Sequence, residues 1–207
     1  MAGDAVTGAD VMPAPRRSNL PSAVGIVSLF ALGATVGSFF DGFHTHAGTT
    51  SYPHPIAWRM AWWTPPLFGG AFTLLGLSYA AALARRTGSR PRYGWLTRLG
   101  ALAAFGALYF ASGFLPASNV VKLGVLAAGG AGLVAWLDPS AACVVVGLAA
   151  ALAGPAFEVL LVNAGAFSHL QPDVLGIPMW LPALYFASVP GVGPTAVALV
   201  RVRRGVD

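Results

Sequence analysis

The sequence predicts an all-α protein, an integral membrane bundle of six transmembrane helices with both termini on the cytoplasmic side. Three observations carry this. Of 207 residues, 56% are hydrophobic and only 9% are charged, against about 25% charged in an ordinary soluble domain. The apolar residues fall into runs close to the roughly 20 residues that cross a bilayer. The basic residues gather on one side of those runs. A soluble fold so poor in charge would expose large apolar patches, whereas in lipid an apolar outer surface is the solvated one.

The runs cover residues 20–40, 61–84, 99–116, 119–137, 140–163 and 180–200. Polar residues concentrate in the breaks. The second break holds Arg85, Arg86, Arg90, Arg92 and Arg98, the third is the tight Pro116-Ala117-Ser118-Asn119, the fourth is Asp138-Pro139-Ser140, and the fifth runs from Gly165 to Met179. With the N-terminus inside, Arg16, Arg17, those five arginines, Arg201, Arg203 and Arg204 are cytoplasmic, leaving Arg59 and Lys122 outside. This asymmetry sets the orientation and accounts for the net charge of +5. No basic stripe interleaved with aromatics is present, which argues against a nucleic-acid partner. The expected division is a polar tail over 1–19, the six-helix domain over 20–201 and a short tail over 202–207. The first run is too long for a signal-peptide core and reads as an uncleaved span.

Small residues at helical spacing (Gly33-x3-Gly37; Gly129, Gly130 and Gly132; Gly147-x3-Ala151-x2-Gly154) let helices approach closely in lipid. They serve packing inside the bundle and also allow a homo-oligomer. Pro65, Pro66, Pro155, Pro182, Pro190 and Pro194 enter the spans, and each removes a backbone donor and can open space. Glu158, about five residues from the outer end of the fifth span, is the sharpest polar signal, because ionisable groups are costly in hydrocarbon. It faces a cavity, or else is solvated or paired with Lys122. Asp41 and Asp138 read as solvated helix ends. His44, His46 and His54 are expected in the first outer loop with Asp41, and His169 in another. Their spacing matches no standard zinc pattern. The lone Cys143 excludes an intrachain disulfide. No metal, cofactor or catalytic motif is expected, so the chain is not read as an enzyme.

The chain from span two onward carries Trp62-Trp63-Thr64-Pro65-Pro66, a fourth span ending in Asp138, Asn163 near the end of the fifth, and Pro172-Asp173-x-Leu175-x4-Trp180-Leu181-Pro182 before the sixth. In this order, over about residues 20–205, the chain resembles the insulin-induced gene (Insig) family. The resemblance implies a six-helix bundle with a central cavity open to the bilayer, sterol sensing, and a transmembrane protein partner contacted through Asp138. Family members reside in the endoplasmic reticulum. Two departures stand out. Pro139-Ser140-Ala141-Ala142 follows Asp138 where a basic, serine-rich stretch is expected, and Val121 stands near the position of a polar amide. Glu158 stands where animal members carry Gln.

A bias of eleven Arg to one Lys, with Ala and Gly making about a third of the chain, is that of a high-GC bacterial genome, so a bacterial plasma membrane is the expected location. The expected function is therefore lipid binding and lipid sensing. The ligand is a sterol or a neutral glycerolipid such as diacylglycerol, held between spans one and three through six. Phe105, Val121, Trp136, Glu158 and Asn163 are the expected lining, with Glu158 or Asn163 meeting the polar head. The alternatives are a small membrane transporter or a lipid-modifying membrane enzyme using Asp41 and the histidines.

Overall fold

The computed structural model describes residues 21–85 and 93–200, so the two expected terminal tails lie outside the described residues. Six helices make up the bundle: α1 (Ala23–His46), α2 (Thr64–Ala84), α3 (Trp95–Phe114), α4 (Asn119–Leu137), α5 (Ala141–Asn163) and α6 (Leu181–Val200). All but α3 are apolar enough over their length to cross a membrane. Helix α3 carries Thr97 and Arg98 in its first turn, and its 20 residues rise about 30 Å, the thickness of a hydrocarbon core.

The helix ends follow local chemistry. Ser22 accepts from Gly25 N at 3.0 Å at the start of α1, and Ser118 and Ser140 cap α4 and α5 in the same way. These are side-chain oxygens satisfying first-turn amides. Pro65 and Pro66 sit in the first turn of α2, where a missing N–H costs nothing. Pro116 and Pro139 follow the ends of α3 and α4 and stop them.

Helix α6 is the central element. It packs on α2, α3, α4 and α5 and is buried along most of its length, while α5 shows much of its surface to lipid. The main core joins Leu29, Phe72, Phe105, Leu126, Leu133, Leu184 and Val192. Glycines set the helix spacing. A Cβ on Gly33 would lie 2.5 Å from the Phe68 carbonyl oxygen and 2.6 Å from Phe72 Cβ, so α1 rests against α2 there. A Cβ on Gly154 would collide with the Tyr185 ring, fixing that ring between α5 and α6. Gly129, Gly130 and Gly147 likewise face Leu108 or Phe186, whereas Gly132 faces open space. The small-residue motifs thus serve mainly the bundle's own packing.

Two differences from expectation matter for the site. First, α1 runs to His46, six residues past the expected end of the first span. Asp41, His44 and His46 are therefore on a helix and not in a loop, and only His54 is an exposed loop residue. Second, α1 widens to a π turn over Gly33–Gly37 before resuming as α-helix at Ser38. Above the bundle, the segments following α1 and α5 are tied by a two-strand antiparallel ladder, β1 (Thr50–Ser51) with β2 (Ser168–His169), pairing Thr50 with His169. The Pro-Asp-x-Leu segment closes a tight turn with Leu175 and Gly176 at positive φ. Asp173 Oδ2 accepts from Met179 N and Asn119 Nδ2, each at 2.8 Å, and Trp180 Nε1 donates to Asn119 Oδ1 at 3.0 Å. These bonds pin the last outer segment to the start of α4.

Candidate functional site

A cavity of about 570 Å³ lies inside the bundle, walled by α1, α2, α3, α5 and α6 and roofed by the two ladder segments. Helix α2 replaces the expected α4 as a wall. Most of the lining is apolar, including Phe40, Phe72, Phe105, Leu161 and Leu184. Pro66, Gly70, Leu74 and Ser78 of α2 follow one another at i, i+4 spacing, as do Ala149, Ala153 and Phe157 of α5. All seven line the cavity and are also exposed on the outer surface. The seam between α2 and α5 is therefore a mouth facing the bilayer. From Pro66 to Ser78 it extends about 18 Å at 1.5 Å per residue, slightly more than half of a roughly 30 Å hydrocarbon core.

The polar groups collect at the outer end. Glu158 accepts from Tyr185 Oη at 2.6 Å through Oε1 and lies 2.8 Å from His169 Nε2 through Oε2. Asp41, 4% exposed, accepts from Tyr52 Oη at 2.8 Å through Oδ2. Burial first and the Asp41 charge second raise the Tyr52 pKa, so this hydroxyl keeps its proton and remains a donor. His44 stacks on Tyr109 with ring centroids 4.2 Å apart and meets Ser112 Oγ at 2.7 Å. Thr50 Oγ1 and His169 Nδ1 are buried with no hydrogen-bond partner among the described residues. The cavity is a long apolar slot closed at one end by carboxylates, phenols and imidazoles, a form suited to a molecule with an apolar body and a small polar head.

The expected lining residues divide. Phe105 and Glu158 line the cavity. Val121 and Trp136 do not. On α4 the inward stripe is Lys122, Leu126, Gly130, Leu133 and Leu137, and Val121 and Trp136 each fall one residue, about 100°, off it, more than half exposed toward lipid. Asn163, the last residue of α5, is exposed beyond the cavity. Glu158 does not pair with Lys122, whose Nζ donates instead to Ser112 O at 2.8 Å. Asp41 and Asp138 are buried and not solvated. Asp138 accepts from Tyr79 Oη at 2.6 Å and from Ser140 Oγ at 2.9 Å, which joins α2 to the α4–α5 turn. Sequence reasoning missed Tyr52, Tyr109 and Tyr185. Tyrosine counted as apolar in the span pattern, and a Tyr one helix away from a buried Glu is the signal that could have found Tyr185. Among the described residues no group of three or more His, Cys, Asp or Glu side chains is placed to hold a metal ion.

No family model matches the chain. A protein of Mycolicibacterium vanbaalenii described as an INSIG protein homolog is 33% identical over 171 residues, covering 78% of this chain and 79% of that protein. The chain belongs to the Insig family. The chicken insulin-induced gene 1 protein is 28% identical over 173 residues, covering 81% of this chain and 68% of its own. Crystal structures of MvINS, a mycobacterial Insig homologue, superpose with TM-scores of 0.75 and, for a cross-linked trimer, 0.78, at 27% identity over 90% of this chain and 98% and 99% of theirs. The Insig fold thus supplies the six-helix frame. Within it, the motif residues Trp63 and Pro66 line the cavity, and Trp180 is buried beside its outer end.

Proposed function

We propose that this Insig-family membrane protein binds a lipid in the central cavity and senses it. The lipid enters from the bilayer between α2 and α5, its apolar body along the slot and its head beneath Glu158. The observation that carries this is the joining of an apolar slot with a lateral mouth to a polar pole. The ligand class is a neutral glycerolipid of the diacylglycerol type, ahead of a sterol. A sterol presents one hydroxyl, whereas the pole holds Thr50 Oγ1 and His169 Nδ1 without partners beside the Glu158–Tyr185 pair. A glycerol head has one hydroxyl to donate and two ester carbonyls to accept, so a carbonyl can take the Thr50 hydroxyl while the head hydroxyl donates to Glu158, and leaving a buried polar group unmet is costly. Phe105 flanks the body and Glu158 accepts from the head hydroxyl. Sensing follows if the filled cavity favours the conformer that a membrane partner recognises. The protein acts by binding and not by catalysis.

The test is mass spectrometry of lipid that co-purifies with the detergent-solubilised protein, beside Glu158→Leu. One stoichiometric species, depleted in the variant, supports the proposal and names the ligand. Bulk membrane lipid in equal amounts from both removes Glu158 from the site and the proposal with it.

A further inference from the structure

A second cavity, about 490 Å³, lies at the outer end of the bundle where the end of α1, the α3–α4 turn and the Gln171–Trp180 segment meet. Its lining includes Thr49, Ser118, Asn119, Lys122, Gln171 and Trp180, and exposed Ser118 and Gln171 mark its opening to the aqueous interface. The chemistry here differs from that of the lipid slot. Lys122 is 6% exposed and donates one hydrogen bond, to Ser112 O, of the three an ammonium can make. Among the described residues it has no carboxylate at ion-pair distance. The carboxylate closest by connectivity, Asp173, is held by Asn119 and Met179 N. Withdrawing an ammonium from bulk water without a counter-charge is unfavourable. The same cavity receives the N-terminus of α4, capped at Ser118, whose first-turn amides and positive dipole end favour an anion.

We propose that this outer cavity is a second ligand site, which takes a phosphate-class anion paired with Lys122 at the start of α4. The anion is either free in the outer aqueous phase or carried on a lipid headgroup. The site stands apart from the lipid slot, on the far side of a partition made by His44, Ser112 and Trp180. His44 faces the slot and contacts Ser112 Oγ, while Lys122 faces the outer cavity and contacts Ser112 O.

The test uses the full chain in detergent, with inorganic phosphate titrated against chloride at matched ionic strength and thermal unfolding as the readout. At about one hundred times its dissociation constant the anion should raise Tm by about 5–10 °C. Lys122→Met should abolish the shift. Ala117→Asp, which places a carboxylate in the same cavity while leaving Lys122 intact, should abolish it too, and decides the matter if Lys122→Met does not fold. A shift with phosphatidylglycerol in mixed micelles but not with inorganic phosphate, lost in Ala117→Asp, supports the site and assigns it to a headgroup. No shift with either probe, or a shift that survives in Ala117→Asp, overturns the proposal. Neither outcome touches the central lipid slot.

Discussion

Removing one oxygen, by Tyr52→Phe, isolates the energetics of the polar pole. The ring stays, so its contacts with Trp63 and Phe167, at centroid distances of 5.4 and 5.7 Å, are kept and no void opens. What is lost is the 2.8 Å bond to Asp41 Oδ2, the one hydrogen bond to that buried carboxylate among the described residues. Stranding a buried acceptor costs about 1–3 kcal/mol, and more if it is charged. For a chain of this length that corresponds to a fall in Tm of about 2–12 °C. The assay is thermal unfolding in detergent at fixed scan rate. A second background completes the cycle: with Asp41→Leu already in place there is no acceptor to strand, so Tyr52→Phe should then cost less than about 0.5 kcal/mol. A Tm change under 1 °C for the single variant, or an equal cost in both backgrounds, would refute the claim that Tyr52 acts through Asp41.

Gly33→Leu should destabilise the protein by about 3 kcal/mol, because the added side chain meets the Phe68 carbonyl in a tightly packed contact; Gly132→Ala, in open space, should be neutral or stabilising by up to about 1 kcal/mol. Thermal unfolding of the two variants side by side checks both signs. Ala153→Phe, at the exposed edge of the α5 wall, should block the mouth, lowering co-purified lipid several-fold with little change in Tm, and quantitative lipid extraction reads it. Val121→Ala and Trp136→Ala should retain the wild-type amount of co-purified lipid in the same extraction, since both side chains face the bilayer.

The frame of the bundle is legible in the sequence because lipid imposes a length. Runs of about 20 apolar residues have few alternatives, and the caps Ser118 and Ser140 and the stops Pro116 and Pro139 mark their ends. The inward faces are not legible by the same means. In water a helix shows its buried face through amphipathicity. In lipid both faces are largely apolar, so apolarity alone does not separate Val125 from Leu126 or Trp136 from Leu137. The end of α1 was lost for the opposite reason. Ser38–His46 holds Asp41, His44, Thr45 and His46, and polar density normally marks a loop. Here Asp41 and His44 turn into the cavity pole and the helix continues through them. Glu158 stood out because a single carboxylate in a span is costly. Its partners Tyr185 and His169 come from other elements, and only the folded chain brings them together.

The π turn at Gly33–Gly37 bears on how such a pole can arise or disappear. A single π turn amounts to one extra residue within an α-helix, so the turns beyond it are rotated by about 100° from the register they would otherwise hold. In α1, Asp41 and His44 lie beyond that turn and Gly33 lies at its start. Deleting one residue between 33 and 37 would leave the Gly33 contact with α2 in place and swing both polar side chains away from the slot. The polar chemistry of the cavity therefore hangs on an insertion that alters no residue it contains. A relative lacking that insertion could conserve Asp41 and His44 by sequence and still present a different surface to its ligand.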